Sequence, residues 1–366
     1  VWMCAFEPHL DYCEKTTNII ATCGSNSVCV IDVKTGDIIL KHYSKQSKED
    51  FYSLSWSSIY MKEDCKLKKN NILAVAGLNC TLHLLHPLKQ VCCLERKFKK
   101  PSHVTISSVQ FHPLASSILC GAFSSGEVYV WDLGEVTLPN YDISLSHLCT
   151  LSIEKEIFNM SFSRHCECLL AATDDGVAAW SLELKNINDK NYKIKAWKFS
   201  FPSASGTFHT NDGQLVDSVE PIGNGKMVAS KCALYGNIYL WDLEEALDHC
   251  GDRGHTNVQP AHILDYSKTD NYFMSLGSSL LSNLLACGDD LGNIWLYDLK
   301  DIFSLSKKKQ EQSAVIPWPD VDDKSSQWMV KLNEVVINKV VVNHNGSYIV
   351  AVTNTNLVCI WKKELF

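Results

Sequence analysis

YFMSLGSSLLSNLLACGDDLGNIWLYDL, residues 272–299, holds three apolar runs separated by Gly, Asp, Asn and Ser. Each run is about five or six residues long, rich in aromatic or branched side chains and bounded by turn formers, the pattern of short antiparallel strands joined by tight hairpins. The third run follows Gly292 and closes on Trp295, Leu296, Tyr297 and Asp298.

A Gly-x-Ile/Val-x-Leu/Val-Trp/Tyr-Asp ending is the signature of a WD-type propeller blade, in which one sequence repeat supplies one four-stranded radial sheet. The same unit recurs along the whole chain. WMCAFEP (2–8), NIIATCGS (18–25) and VCVIDVKTG (28–36) make the first copy, and DFYSLSW (50–56), ILAVAGLN (72–79) and TLHLLHPLK (81–89) the second. The third is the plainest: ISSVQFHP (106–113), ILCGAFSSG (118–126) and EVYVWDLG (127–134). Further copies begin at IFNMSFSRH (157–165), QLVDSVEPI (214–222), the opening stretch, and INKVVVNHNG (337–346). Seven units of roughly 45 residues use up the length and leave no room for a second domain. The expectation is an all-β, seven-bladed WD40-type β-propeller with blades near 2–48, 49–100, 101–152, 153–200, 212–268, 270–316 and 328–366. Trp361 closes a third strand in blade 7, so its outer strand is expected from residues upstream of Val1, and the chain reads as part of a longer protein.

Composition suits a large buried core. Apolar residues make up 46%, and no apolar run reaches the roughly 18 residues that would span a bilayer. The 16 cysteines fall mostly inside strands, where a thiol acts as a small hydrophobe, favouring a reducing compartment. A formal charge of −7 excludes coating nucleic acid by bulk electrostatics. Two local basic candidates for a weak nucleosomal DNA contact remain: Lys62, Lys66, Lys68 and Lys69 in an insertion in blade 2, and Lys307, Lys308 and Lys309 after the third strand of blade 6. Solvated loops are the simpler account of both.

Enzyme chemistry finds no purchase in the sequence. Neither a Gly-rich phosphate loop before a helix nor a Gly-x-Ser-x-Gly elbow is present. Asp174-Asp175 and Asp289-Asp290 each precede Gly within two residues and read as hairpin formers, not acid/base pairs. His165-Cys166-Glu167-Cys168 and Cys92-Cys93 lack a second spaced pair for zinc and read as strand and turn cysteines. No catalytic residue, metal ligand or cofactor is assigned.

What remains is a set of aromatics at equivalent places. Counting back four residues from an apolar residue near the end of the innermost strand gives Trp2, Tyr52, Phe158 and Tyr272, with Phe273 beside the last. Singly, each belongs to the packing between blades. Together, rings converging on one rim can form an aromatic cage for a quaternary ammonium.

Several longer runs carry a family resemblance: IATCGSNSVCVIDVKTG (20–36), LAVAGLNCTLHLLHP (73–87), ASKCALYGNIYLW (229–241), CGDDLGNIWLYDL (287–299) and TNTNLVCIW (353–361). They resemble the WD-repeat half of the leucine-rich-repeat and WD-repeat family that associates with the origin recognition complex. That resemblance implies an upstream leucine-rich-repeat domain, a nuclear, chromatin-bound location and origin-complex partners. More distantly, Gly24-Ser25-Asn26, the Tyr52 to Trp56 strand followed by LAVAG (73–77), and Phe111-His112-Pro113 are similar to the embryonic ectoderm development subunit of the Polycomb methyltransferase complex. That family holds trimethyl-lysine of histone tails in a cage from blades 1, 2 and 6, which the resemblance places on Trp2, Tyr52, Tyr272 and Phe273 here. Phe158 has no counterpart and is assigned to the core. The expected function is a chromatin reader and scaffold taking trimethylated histone H3 or H4 tails. The alternatives are a pure assembly scaffold and a Polycomb-type subunit supporting a methyltransferase.

Overall fold

A computed structural model describes residues 1–363 except 13, 47, 65, 164–167, 183–193, 203–214, 224, 252–253, 305–308, 311–313 and 319–334, and except the side chains of residues 233, 309 and 310. Seven antiparallel sheets form the blades. Their innermost strands are Met3–Pro8, Phe51–Glu63, Ile106–Phe111, Ile157–Ser163, Ser218–Ile222, Gly277–Ser279 and Ile337–Val342. Blade 7 has three strands among the described residues.

The core is divided into seven interblade layers, and strand alternation feeds them. In the second strand of blade 2, Leu73 and Val75 pack against Ala21 and Val28 of blade 1, whereas Ile72, Ala74 and Ala76 pack against Ile106 and Val109 of blade 3. Cys4, Ile20, Tyr348 and Val350 join blade 7 to blade 1, closing the ring. Successive side chains therefore serve opposite neighbours, so second strands such as ILAVAG (72–77) and ILCGAF (118–123) read as continuous apolar runs with small residues at the crowded centre. The buried thiols belong to this packing. Burial pushes Cys4 up to about 12 and Cys287 up to about 11, holding both protonated.

Polar atoms link one innermost strand to the next. Ser53 Oγ accepts from the Val109 amide at 3.0 Å, Ser108 Oγ from Met160 at 3.2 Å, Asn159 Oδ1 from Val219 at 3.2 Å, and Ser218 Oγ from Leu276 at 2.9 Å. These bonds fix the rotational register of neighbouring blades around the channel.

Two features depart from the sequence expectation. The blade 2 insertion is a continuation of the sheet: Phe51–Glu63 and Lys66–Gly77 pair without a break to Glu63↔Lys66. Val136–Thr137 then adds to this ribbon in parallel. Similar short parallel additions cap the outer strands of blade 4, by His255–Asn257, and of blade 5, by Lys309–Gln310. Each comes from the connection between the third and outermost strands of the following blade, covering an edge that would otherwise be open. The ribbon lysines are engaged locally: Lys62 with Glu135 at 3.5 Å, Lys68 with Glu63 at 2.6 Å, and Lys69 with the Leu10 carbonyl at 2.6 Å. Lys66 is exposed near the tip. Lys307 and Lys308 lie outside the described residues, as does the side chain of Lys309 and the His165-Cys166-Glu167 stretch.

Both acidic pairs serve their turns. Asp289 is buried and accepts from the Leu291 and Asn293 amides and from Trp295 Nε1, at 2.8–2.9 Å. Asp175 pairs with Lys155 and Lys198.

Lys231 and Asp217 meet at 2.5 Å with both side chains 0% exposed. Breaking a buried pair by removing one partner costs about 3–5 kcal/mol. Lys231→Met, which keeps most of the side-chain volume, is expected to lower stability by about that amount, read as a fall in the urea midpoint at unchanged slope.

Candidate functional site

Alternation sends most apolar inner-strand residues to one interblade layer or the other, and a slip in alternation is one way for a side chain to reach the channel mouth. Alternation slips near the start of four innermost strands. The register shifts between Phe51 and Ser53, Ile106 and Ser108, Ile157 and Asn159, and Ile337 and Lys339. Each bulge leaves one unpaired residue, Tyr52, Ser107, Phe158 and Asn338, while flanking residues three apart, such as Phe51 and Leu54 or Ile157 and Met160, enter the same core layer. A bulge of this kind re-aims a side chain without breaking the sheet.

A cavity of about 300 Å³ sits at this mouth. Its aromatic lining is Trp2, Tyr52, Phe158 and Phe273, and Glu156 and Asp217 also line it, the Asp217 carboxyl being fully buried against Lys231. Trp2 and Tyr52 stand edge to face, centroids 5.8 Å apart at 87°. Phe158 and Phe273 form a second corner, 5.4 Å apart at 82°. Tyr272 is not part of the cavity lining. It backs Phe273 at 4.4 Å and Phe158 at 5.7 Å. Phe158, expected as core, is 8% exposed and buried, and it also walls the cavity.

Trp2 is held by Asp50, whose carboxylate oxygens accept from the indole Nε1 at 3.0 and 3.1 Å. Gly77 allows Asp50 to sit there: a Cβ at Gly77 would lie 1.9 Å from the Asp50 carbonyl oxygen. Burial raises the Tyr52 phenol, reinforced by Asp50. Tyr272 and Phe273 arise differently. They precede the short strand Gly277–Ser279 in a segment whose Ser275 bridges in parallel to Lys339 of blade 7. Phe273 adopts φ +75°, a conformation non-glycine residues rarely take, and this turns its ring to the mouth, 42% exposed. The Leu276 amide occupies the place of Val109 and Met160 in the inter-strand bonds, so counting four back from it does not reach a position equivalent to Tyr52, and of the pair so named only Phe273 lines the cavity.

Burial pushes the Glu156 carboxyl up, with Asp174 adding to the effect. Burial likewise raises Asp217, against the pull of Lys231 and the amides of Asp217 and Phe273. Asp217 is fully buried against Lys231, so Glu156 is the carboxyl that a positive ligand at the mouth would meet together with the negative faces of the rings.

A family model described as "Leucine-rich repeat and WD repeat-containing protein 1, WD domain" matches residues 1–364. The chain belongs to this family. Leucine-rich repeat and WD repeat-containing protein 1 of Xenopus tropicalis is 30% identical over 374 residues, covering 99% of this chain and 52% of that protein. The Homo sapiens protein of the same name is 30% identical over 371 residues, covering 99% of this chain and 54% of its own length. This chain thus spans about half the length of the curated relatives it matches. Membership supports a WD-propeller scaffold.

Asp50→Ala leaves the Trp2 indole without its charged acceptor. Stability is expected to fall by about 1–3 kcal/mol, with faster hydrogen exchange at the Trp2 indole N–H by NMR while other indole protons keep their rates.

Proposed function

We propose that the chain is a non-enzymatic chromatin reader and scaffold. Its propeller mouth takes a trimethylated lysine of a histone H3 or H4 tail, and other surfaces associate with the origin recognition complex in the nucleus. The observation that carries the reading is the convergence of Trp2, Tyr52, Phe158 and Phe273 on one cavity that Glu156 also lines. A trimethylammonium group has no N–H to donate and sheds its weak hydration readily, so ring faces are its natural partners. The origin-complex association rests on the family resemblance. Lys62, Lys68 and Lys69 already have local partners, which disfavours the blade 2 ribbon as a DNA contact.

Each desolvated ring supplies on the order of 0.5–2 kcal/mol. With main-chain contacts to the tail this corresponds to a dissociation constant of roughly micromolar order. Such a site discriminates between marks, and stable residence on chromatin needs additional simultaneous contacts.

Calorimetric titration of trimethylated and unmodified histone peptides tests the reading. Selective binding is expected for the wild type, weakened roughly tenfold or more, about 1.4 kcal/mol, by Trp2→Ala or Tyr52→Ala. Phe273→Gly is the sharper variant. It removes a ring from a backbone that glycine adopts freely, so stability stays within about 1 kcal/mol while methyl-lysine binding is lost. Equal affinity for both peptides would leave the scaffold role alone.

A further inference from the structure

His42, His83 and Cys92 converge between the outer parts of blades 1 and 2, with one ligand atom of each within 4.8 Å of the others. His42 lies on the outermost strand of blade 1, Ile38–Tyr43, and His83 on the third strand of blade 2, Thr81–His86. Cys92 lies on the outermost strand of blade 2, Val91–Lys97. A bulge brings the thiol into place. His83 pairs with Glu95 and Leu84 with Leu94, but Leu85 pairs with Cys92, so Cys93 is skipped. That slip puts Cys92 on the same face as Glu95 and His83, toward blade 1.

The His42 Nε2 and His83 Nδ1 atoms are 3.3 Å apart. Two zinc–nitrogen bonds of about 2.0–2.1 Å at a tetrahedral angle put the nitrogens about 3.3–3.4 Å apart. A hydrogen bond between the rings accounts for the same distance, but not for the thiol beside them. His83 is fully buried and its Nε2 has no hydrogen-bond partner. Cys92 Sγ is held only by a weak 3.4 Å contact to the Leu94 carbonyl.

We propose that His42, His83 and Cys92 form a zinc(II) site that clasps blade 1 to blade 2, with a water or Glu95 in the fourth position. Two imidazoles and one thiolate are a donor set zinc accepts, and a coordinated thiol gives up its proton. On binding, that proton leaves to solvent, the ring nitrogens donate lone pairs, and no electron is transferred.

The test uses the full chain, stripped with a chelator and titrated with zinc(II) against a chromophoric competitor, then with cobalt(II) as a spectroscopic substitute. One equivalent of zinc is expected, and the cobalt form shows tetrahedral ligand-field bands and a thiolate-to-metal charge-transfer band. Cys92→Ser abolishes the charge-transfer band, whereas Cys93→Ser keeps it. His42→Ala weakens zinc by more than the roughly 10–100-fold that loss of an outer-shell partner costs. Cys92 sits on an outermost strand and does not hydrogen-bond His83, so Cys92→Ser carries the test, while His42→Ala also removes the ring that meets His83; thermal unfolding without metal verifies that each variant is folded. Failure of the wild type to hold zinc against the competitor, or an unchanged charge-transfer band in Cys92→Ser, overturns the proposal.

Discussion

Burial of both faces of every blade is the constraint on which the rest of the molecule depends. In an ordinary antiparallel sheet one face is packed and the other solvated, and polar residues have somewhere to go. Here Leu73 and Val75 face one neighbour while Ile72, Ala74 and Ala76 face the other, and the same division runs around the ring to the layer that joins Tyr348 to Cys4. Few large side chains of the inner strands are left over for the channel, and the bulges at Tyr52 and Phe158 turn two rings to the mouth without loosening the cores beside them.

The rings at the mouth are held by means that differ in cost. Tyr52 and Phe158 are set by strand register alone. Trp2 depends on a charged acceptor, Asp50, itself seated against a glycine. Phe273 depends on a positive φ that its packing against Tyr272 and Phe158 must offset. Strain at a residue that lines a cavity is a reason to look for a role there beyond local stability. Glu156 adds an acidic group to the lining, whereas Asp217 is fully buried against Lys231.

Much of this was legible in the chain. Turn residues and the closing Trp-Asp and Tyr-Asp pairs delimit the blades because a hairpin needs those residues whatever surrounds it. Of the four positions the resemblance points to, Trp2, Tyr52 and Phe273 line the cavity and Tyr272 stands behind Phe273. What escaped notice depends on long-range register. Phe158 looks like any core phenylalanine until the bulge at Ile157 and Asn159 is known. The blade 2 insertion reads as a loop, since its lysines and asparagines mask the pairing that carries it to Glu63↔Lys66. Cys92 has no ligand partner nearby in sequence; His42 and His83 reach it only through the packing of two blades.

The central claim is that the mouth recognises positive charge through ring faces, not merely a bulky apolar group. It is tested most directly by comparing a trimethyl-lysine peptide with its neutral isostere, in which carbon replaces the ammonium nitrogen, by calorimetric titration into this chain. Three or four ring contacts at about 0.5–2 kcal/mol each predict that the isostere, matched in shape and more easily desolvated, binds at least roughly tenfold more weakly. Equal or tighter binding of the neutral peptide would contradict the account and reduce the cavity to a hydrophobic socket.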